Sequence, residues 1–365
     1  MQRMKIVHCV FTMKTGGAQV MVVSLINEMC LNHDVTLIIV NDLNEELVKQ
    51  IDKKVKIYFI NRRSGSRNPF PILRINFLLL QLRPDIIHCH EPNMVNAIKS
   101  WTAKLVHTIH DVDIPVSFYE LYDSLVAISD AVYKDVTARC HLPVCTVHNG
   151  IPTSLFRQRQ DHTPPSDGYY KLVQISRLVH EKKGHDILLY ALHKVVYGYG
   201  FKNLSLDIIG EGPSLQFLKA LVTTLNLDGH VNFLGDKNRD WIFNNLRNYH
   251  ILVQPSRFEG FGLTILEGFA AGLPVLATNI DGPAEIISRI PGGFLFENGD
   301  VDSCVQQLRK IFTLYEGNEI GTLMKTTTPL IKQTYSIKAC TKGYLAEYSR
   351  IRNRDRKPVI QLEHK

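Results

Sequence analysis

Short apolar runs alternate with helical segments along almost the whole chain. Between the runs lie stretches with helical periodicity, such as Ala18–Cys30 and Ile72–Leu82. Apolar strands that alternate with helices are typical of a doubly wound parallel sheet. The predicted strands are Lys5–Phe11, Val35–Val40, Lys56–Ile60, Asp85–Cys89, Leu105–Ile109, Leu125–Ile128, Cys145–Val147, Lys171–Ile175, Leu204–Ile209, Val231–Leu234, His250–Val253 and Pro274–Ala277.

A polar segment, Arg157–Gly168, interrupts this alternation and contains two prolines and few apolar residues. We interpret residues 157–169 as a linker between two Rossmann-like domains, residues 1–156 and 170–335. A chain of 365 residues is long enough for two domains that each bury a core. Ligand sites of such domains are expected at the carboxyl ends of the strands.

One stretch of the second domain, Gln254–Gly272, has the pattern of an anion site. A glycine turn follows an apolar strand, and a helical pattern begins at Leu263. The first N–H groups of such a helix point at the ligand, and Gly262 lets the ligand approach the backbone. Two carboxylates, Glu259 and Glu267, flank the turn. A nucleotide sugar, with a diphosphate and several hydroxyls, would suit both kinds of group; the alternative is an ordinary strand–helix unit with two solvated glutamates.

A second loop in this domain supplies cations. Arg177 follows the strand Lys171–Ile175, and Lys182 and Lys183 precede the glycine that opens the next helix. A guanidinium and an ammonium at this spacing can neutralise a departing diphosphate without a metal ion. The doubled lysine leaves two registers open, of which we favour Lys182.

Metal-binding patterns are weak. Asp111-Val112-Asp113 and Asp300-Val301-Asp302 spell D-x-D, a pair that can hold a divalent cation, but so short a pattern arises often by chance. We expect no metal and no cofactor.

The segment Pro255–Thr278, PSRFEGFGLTILEGFAAGLPVLAT, resembles the signature of glycosyltransferase family 4. These are retaining, sugar-nucleotide-dependent enzymes of the GT-B fold, in which two Rossmann-like domains face each other across a cleft. The resemblance implies that Glu267 binds the ribose hydroxyls, that Glu259 binds the donor sugar and that an Arg–Lys pair binds the diphosphate. It also implies that a C-terminal helix at about 336–352 crosses back to the first domain. The other donor-binding positions that it implies are Gly210 and Leu234, in turns beside the nucleobase, and Phe261, Gly262 and Leu263 at the helix start.

The first domain carries a weaker resemblance. Gly16 and Gly17 open a helix without the spacing of a dinucleotide fingerprint, and Gln19 stands where the family commonly has Glu. His90 begins a His-Glu-Pro-Asn segment similar to that of family members acting on inositol lipids. By that resemblance His90 contacts the transferred sugar, and Gly16 and Gly17 contact the donor.

Composition limits the cellular setting. Seven cysteines without a C-x-x-C pair or zinc spacing favour reduced thiols in a cytosolic protein, and no apolar run reaches the length of a membrane span. The net charge is +7, and nine basic residues lie between Lys49 and Arg83 against one acid, Asp52. An anionic membrane surface or plain solubility explains this charge equally well, and no nucleic-acid module appears.

These features predict a retaining hexosyltransferase that uses a UDP- or GDP-sugar. Its acceptor would be a glycan or a lipid-linked hydroxyl in bacterial capsule, lipopolysaccharide or exopolysaccharide synthesis, and it would act in the cytoplasm or at the inner membrane face. The alternatives are a GT-B nucleotide-sugar epimerase, a sugar phosphorylase and a non-catalytic GT-B partner subunit.

Overall fold

Two parallel sheets organise the chain, each in its own unit. The structure, a computed structural model, describes residues 2–14, 16–99 and 102–353. One unit comprises Met1–Gly150 and the chain from Ile337 onward, and the other comprises Ile151–Ser336. Each unit is described separately below.

The first unit contains a parallel sheet of seven strands in the order β3-β2-β1-β4-β5-β6-β7. The order reverses between β1 and β4, where His8 pairs in register with His88. The central strands are buried on both faces, as expected for a parallel sheet that helices cover on each side. The strands are β1 Lys5–Met13, β2 Asp34–Leu43, β3 Lys56–Phe59, β4 Ile86–Cys89, β5 Lys104–Ile109, β6 Ser124–Ala127 and β7 Val144–Thr146.

Five helices belong to this sheet in the described part of the unit. The last of them packs on the first, although the first helix ends at Met29 and the last begins only at Ile337. Its buried Tyr348 and Tyr344 hydrogen-bond to His88 of β4 and Thr108 of β5, so the C-terminal helix forms part of this unit's core. The helices are α1 Gly17–Met29, α2 Glu45–Val48, α3 Phe70–Leu82, α4 Asp130–Arg139 and, at the C-terminal end, α13 Ile337–Arg352; Pro92–Ala97 and Tyr119–Leu121 are 3-10 turns.

The second unit repeats the pattern with six parallel strands in the order β10-β9-β8-β11-β12-β13. Here the order reverses between β8 and β11, where Leu172 lies opposite Ile251. Ligands of doubly wound sheets bind outside the strands' carboxyl ends at such a reversal. The strands are β8 Tyr170–Ile175, β9 Leu204–Ile209, β10 Val231–Gly235, β11 Ile251–Gln254, β12 Val275–Thr278 and β13 Gly293–Phe296.

The helices of the second unit follow its strands. Two of them begin at the edge where β8 and β11 end, and these are α5, a single turn, and α9. The helices are α5 His180–Lys183, α6 His185–His193, α7 Leu215–Thr224, α8 Arg239–Asn245, α9 Leu263–Ala270, α10 Asp281–Ile287, α11 Val301–Glu316 and α12 Ile320–Thr334; Thr153–Leu155 and Leu246–Asn248 are 3-10 turns, and Lys194–Gly198 is a π-helical turn.

The predicted doubly wound architecture is confirmed, and all twelve predicted strands form with ends shifted by a few residues at most. The strand β13 was not predicted. The segment 157–169, predicted as a linker, hydrogen-bonds within the second unit: the amide of Arg159 donates to Ala271 at 2.8 Å, and that of Arg157 to Phe243 at 2.9 Å. Across the described residues, no helix combines the length and the apolar character that crossing a membrane requires.

Candidate functional site

The reversal point of the second sheet brings two sequence-distant loops together. The first follows β8 and runs from Ser176 to Lys183, and the second follows β11 and runs from Pro255 to Gly262. Because β8 and β11 are hydrogen-bonded neighbours, their carboxyl ends lie side by side. The two loops that the sequence singles out therefore meet at one edge.

Lys183 and Glu259 form an ion pair between these loops. The ammonium lies 2.6 Å from Oε2 of the carboxylate, and each side chain is only 19% exposed. The carbonyl of Lys183 also accepts a hydrogen bond from Gln174 Nε2 at 3.1 Å. Lys183 thus supplies the ammonium beside Glu259, whereas the sequence favoured Lys182, whose side chain is exposed.

Arg257 joins the two loops a second time. Its guanidinium donates to both oxygens of Asp186, at 2.8 and 2.7 Å, and to the carbonyl of His180 at 2.9 Å. Its amide donates to the carbonyl of Lys182 at 2.8 Å. Burial raises the pKa of Asp186, but the hydrogen bonds and charge of Arg257 outweigh burial and hold that pKa below its ordinary value. Asp186 therefore remains a carboxylate that fixes the loop geometry.

Gly184 permits the close approach of the loops. Its φ of +65° is left-handed, and a Cβ at this position would lie 1.8 Å from the carbonyl oxygen of Pro255. No other residue type fits such a contact with rigid backbone. Directly after it, His185 is fully buried, and its Nε2 lies 3.0 Å from Ser176 Oγ. Burial lowers the pKa of His185 to about 4, so its imidazole is neutral near pH 7.

The amino end of α9 faces this edge without a side-chain cap. Gly262 occupies the N-cap position with a φ of +101°, and no acidic residue lies in the first turn, which begins at Leu263. Phe261 is 3% exposed, and its ring makes an edge-to-face contact with Tyr335. This buried contact holds the turn in place. The first N–H groups of this helix are available to an anion.

Glu267, one and a half turns into α9, is buried and paired. Its Oε1 accepts a hydrogen bond from Nη1 of Arg239 at 2.6 Å, and the side chain of Glu267 is 6% exposed. Arg239 is the first residue of α8 and lies over the ring of Phe243 at 4.8 Å. Arg239 belongs to no sequence motif. Its one signal is its place directly after the turn that ends β10, at the same edge of the sheet.

The remaining predicted donor-site residues of this unit lie on the same edge. Arg177 has an exposed side chain that makes no ion pair or hydrogen bond with the rest of the described chain. The amide of Gly210 donates to Gly235 at 2.9 Å directly after β9, and Leu234 is half-buried near the end of β10. The structure thus gathers these three with Lys183, Glu259 and Glu267 at the carboxyl edge of one sheet.

His90 lies in the first unit, within a chain of imidazoles. Its Nε2 is 3.0 Å from His8 Nδ1, and its Nδ1 is 3.0 Å from His110 Nε2. Burial, followed by the charges of the neighbouring histidines, lowers the pKa of His90 well below its ordinary value. His8 Nε2 and His110 Nδ1, at the two ends of this chain, are buried without a partner among the described residues. The chain of three rings fixes the orientation of His90.

Gly16 and Gly17 also belong to the first unit. Gly16 is the N-cap of α1 with extended backbone, and as a glycine it supplies no side chain to cap the helix. The amide of Val20 donates to the carbonyl of Gly16 at 3.0 Å, which closes the first turn. The glycines therefore open α1 as the sequence predicts, with its first N–H groups at the carboxyl end of β1.

Among the described residues of the first unit, three histidines could suggest a metal ion. His8, His88 and His90 have ring nitrogens within 4.8 Å of one another. Both nitrogens of His88 already lie 2.6 Å from hydroxyls of Tyr348 and Thr108, so metal binding would have to break these contacts. The D-x-D pattern at residue 300 has a structural role, because Asp300 caps α11 through the amides of Asp302 and Ser303.

Comparison with protein families gives two matches that divide the chain. The family model described as Glycosyltransferase Family 4 matches residues 15–155, and the model described as Glycosyl transferases group 1 matches residues 156–320. Together they span residues 15–320, which include every strand of the two sheets except β1.

Curated relatives are distant and match in part. An uncharacterized glycosyltransferase of Methanocaldococcus jannaschii is 24% identical over 63% of this chain and 60% of its own length. The lipopolysaccharide 1,6-galactosyltransferase of Escherichia coli is 30% identical over 30% of this chain and 31% of its own length. The chain thus spans less than two thirds of the length of these relatives.

Solved structures match nearly the whole chain. A glycosyltransferase from Rickettsia africae superposes with a TM-score of 0.81 at 22% identity, covering 97% of this chain and all of that one. The Anabaena protein HepE in complex with UDP-glucose superposes with a TM-score of 0.76 at 21% identity, covering 95% of this chain and all of that one. These similarities establish the fold.

Proposed function

Because the chain belongs to glycosyltransferase family 4 and has the GT-B fold, we propose that it is a retaining glycosyltransferase. It transfers a hexose from a UDP- or GDP-sugar to a hydroxyl of a glycan or a lipid-linked acceptor. The similarity to an enzyme named for lipopolysaccharide galactosyl transfer supports a place in the synthesis of a bacterial surface polysaccharide, such as lipopolysaccharide, capsule or exopolysaccharide. The complex of HepE with UDP-glucose favours uridine in the donor.

The observation that carries this proposal is a pair of cation–carboxylate contacts. The carboxylate of one precedes α9 in sequence, and that of the other lies within the helix. Lys183 pairs with Glu259 at 2.6 Å, and Arg239 pairs with Glu267 at 2.6 Å. Cations and helix N–H groups suit a diphosphate, whereas carboxylates suit sugar hydroxyls. A nucleotide sugar is a ligand that needs both kinds of group at this spacing.

Each residue has a role in this proposal. Departure of the diphosphate builds negative charge, which Arg177, Lys183 and the amino end of α9 stabilise. We assign this task to Lys183 ahead of Lys182 because Lys183 is the lysine beside Glu259. Glu259 holds the hydroxyls of the donor sugar, while Phe261, Gly262 and Leu263 form the turn around the phosphates.

Glu267 binds the ribose hydroxyls, and Arg239 orients it. One carboxylate oxygen accepts from the guanidinium, which leaves the other for the ribose. Gly210 and Leu234 border the nucleobase through backbone atoms. His90, Gly16 and Gly17 belong to the first unit, and the family resemblance alone assigns them to the donor.

Retention is inferred from the family and not from the positions of carboxylates. The charge that a metal ion would supply is provided here by side chains and a helix, so we propose that the reaction needs neither metal nor cofactor. We further propose that the enzyme acts in the cytoplasm, with the basic 49–83 region attracted to the anionic inner face of the membrane.

A nucleotide screen followed by product analysis tests the proposal. UDP, GDP and their sugars are added to the protein, and thermal unfolding is recorded. A ligand at one hundred times its Kd stabilises by about 2.7 kcal/mol, which raises the melting temperature by several degrees. The stabilising sugar nucleotide is then incubated with the enzyme and analysed for free sugar and free nucleoside diphosphate.

We expect UDP or its sugars to raise the melting temperature of the wild type and to leave that of Glu267→Ala unchanged. Glu316→Gln, which changes an exposed glutamate of the same unit, should respond as the wild type does. Absence of stabilisation by every nucleotide would refute the donor site. An epimer of the donor sugar would identify an epimerase, and binding without turnover on any acceptor would identify a non-catalytic subunit.

A further inference from the structure

The helix α3 is apolar on two opposite faces. Ile75 and Leu79 are 1% and 4% exposed, and the helix packs against the 3-10 turn Pro92–Ala97 of the first unit. The outward stripe consists of Phe70, Leu73, Phe77 and Leu80, which are 72%, 60%, 60% and 60% exposed.

The spacing makes this stripe continuous. Its members are three, four and three residues apart, so they lie on one side of the helix, opposite the buried face. A surface helix of a globular domain ordinarily carries polar side chains there. The four side chains expose on the order of 400 Å² of apolar surface, which is large for a face without a partner.

The chain around α3 is cationic. From residue 53 to residue 84 there is no aspartate or glutamate, while this segment contains eight lysines and arginines. Arg63, Arg67, Arg74 and Arg83 are exposed. An apolar stripe in a cationic surround is the pattern of a helix that lies in the interface of an anionic membrane.

The charge decides between a lipid surface and a second copy of this chain. Two copies that met through α3 would bring their arginines together without a carboxylate from this segment to balance them. Anionic headgroups provide that balance, and the acyl region accepts the four apolar side chains.

We propose that α3 docks the protein onto an anionic bilayer, with the outward stripe inserted and the arginines on lipid phosphates. This inference deepens the proposed function, because it names the surface on which a lipid-linked acceptor would be presented.

Vesicle sedimentation with the full-length protein tests the inference. The vesicles are phosphatidylcholine alone or phosphatidylcholine mixed with phosphatidylglycerol. We expect binding to the mixed vesicles and a loss of about tenfold or more in partitioning for Phe77→Glu, because a charge replaces an inserted ring. Leu31→Glu changes a 53% exposed apolar residue of the same unit outside the stripe and should partition as the wild type does.

Salt separates insertion from simple attraction. Raising the salt concentration should release a variant that lacks the apolar stripe more completely than the wild type, because salt screens charge and leaves apolar burial intact. Three outcomes would overturn the inference: the wild type remains in the supernatant with anionic vesicles at low salt, Phe77→Glu sediments as well as the wild type, or the protein forms dimers in vesicle-free solution that Phe77→Glu abolishes.

Nucleotide binding keeps this test independent of the donor site. Phe77→Glu should retain the thermal stabilisation by the donor nucleotide. Stabilisation without vesicle binding would reject the docking face alone, and vesicle binding without stabilisation would reject the proposed donor site alone.

Discussion

The ammonium of Lys183 lies 2.6 Å from the carboxylate of Glu259, and the two residues come from loops that follow neighbouring strands. This contact holds an ammonium next to a carboxylate, a group that can accept hydrogen bonds from hydroxyls, at the edge of one sheet. We predict that Lys183→Ala lowers the rate of donor cleavage by about 10²–10³, as the loss of one preorganised donor to a developing anion does elsewhere. The measurement is release of nucleoside diphosphate under saturating donor.

Lys182→Ala is the matched control, since it removes the same charge from the adjacent position. Its exposed side chain predicts a loss of less than about tenfold, the scale of a screened surface charge. A larger loss for Lys182→Ala than for Lys183→Ala would contradict the assignment made from the ion pair and restore the one made from the sequence.

Arg239 should act on the donor through Glu267. Arg239→Met removes the hydrogen bond to a buried carboxylate, so we expect the Kd of the donor nucleotide to rise about ten- to a hundredfold. Because Glu267 is assigned to the ribose, the variant should also lose preference for the ribonucleotide over its 2′-deoxy form. Calorimetric titration with both nucleotides measures this preference.

Arg247→Met serves as the comparison, because it removes an exposed guanidinium close by in sequence. Its preference between the two nucleotides should equal that of the wild type. If Arg239→Met weakened both nucleotides equally, Arg239 would serve the fold of the unit and not the ribose site.

Gly184 should be intolerant of any side chain. Gly184→Ala combines left-handed backbone strain with a contact of 1.8 Å to the carbonyl of Pro255, so we predict a loss of about 4 kcal/mol or more in unfolding free energy. Gly200 has a similar φ of +71° but open space around it, so Gly200→Ala should cost only about 1–2 kcal/mol. Urea unfolding followed by circular dichroism gives both values, and equal losses would show that the contact with Pro255 relaxes freely.

The strands were predictable because their signal is local. Each is a short apolar run bounded by polar or turn residues, and such a run forms a buried strand wherever parallel neighbours cover it. The strand β13, Gly293–Phe296, begins at the second glycine of the pair that follows Pro291, and this stretch has the composition of a loop although it pairs with β12. Turn residues on its amino side concealed that strand.

The place of a candidate residue in the fold was predictable where a motif sets the spacing, and not where a contact joins distant segments. Glu259, Glu267 and Arg177 lie on one edge as expected. The choice between Lys182 and Lys183 depends on the single helical turn α5, in which adjacent side chains point about 100° apart. Arg239 reaches Glu267 across 28 residues of sequence, and no local pattern records such a contact.

Buried imidazoles should make the fold sensitive to acid. Burial lowers the pKa of His8 to about 3, and that of His110 and of His185 to about 4. An unfolded chain binds these protons near pH 6.5, so between about pH 4 and 6.5 the unfolded state holds more protons than the folded state. Stability is therefore full above about pH 6.5 and falls as the pH decreases, by about 2 kcal/mol for each imidazole at pH 5. Burial raises the pKa of Glu91 to about 7, which opposes this trend, but burial also lowers the pKa of His107 to about 3 and that of His250 to about 4, so the histidines outnumber it.

We accordingly predict that the urea midpoint rises as the pH increases from about 4.5 to 6.5. His110→Gln should lower the slope of unfolding free energy against pH by the contribution of one proton. The half-buried position of His110 at the end of the imidazole chain lets glutamine replace its hydrogen bond to His90. His141→Gln removes an exposed imidazole of the same unit and should leave the slope as it is. A slope that His110→Gln does not change would mean that His110 binds the same number of protons in the folded and the unfolded state, which would contradict the lowered pKa of this imidazole.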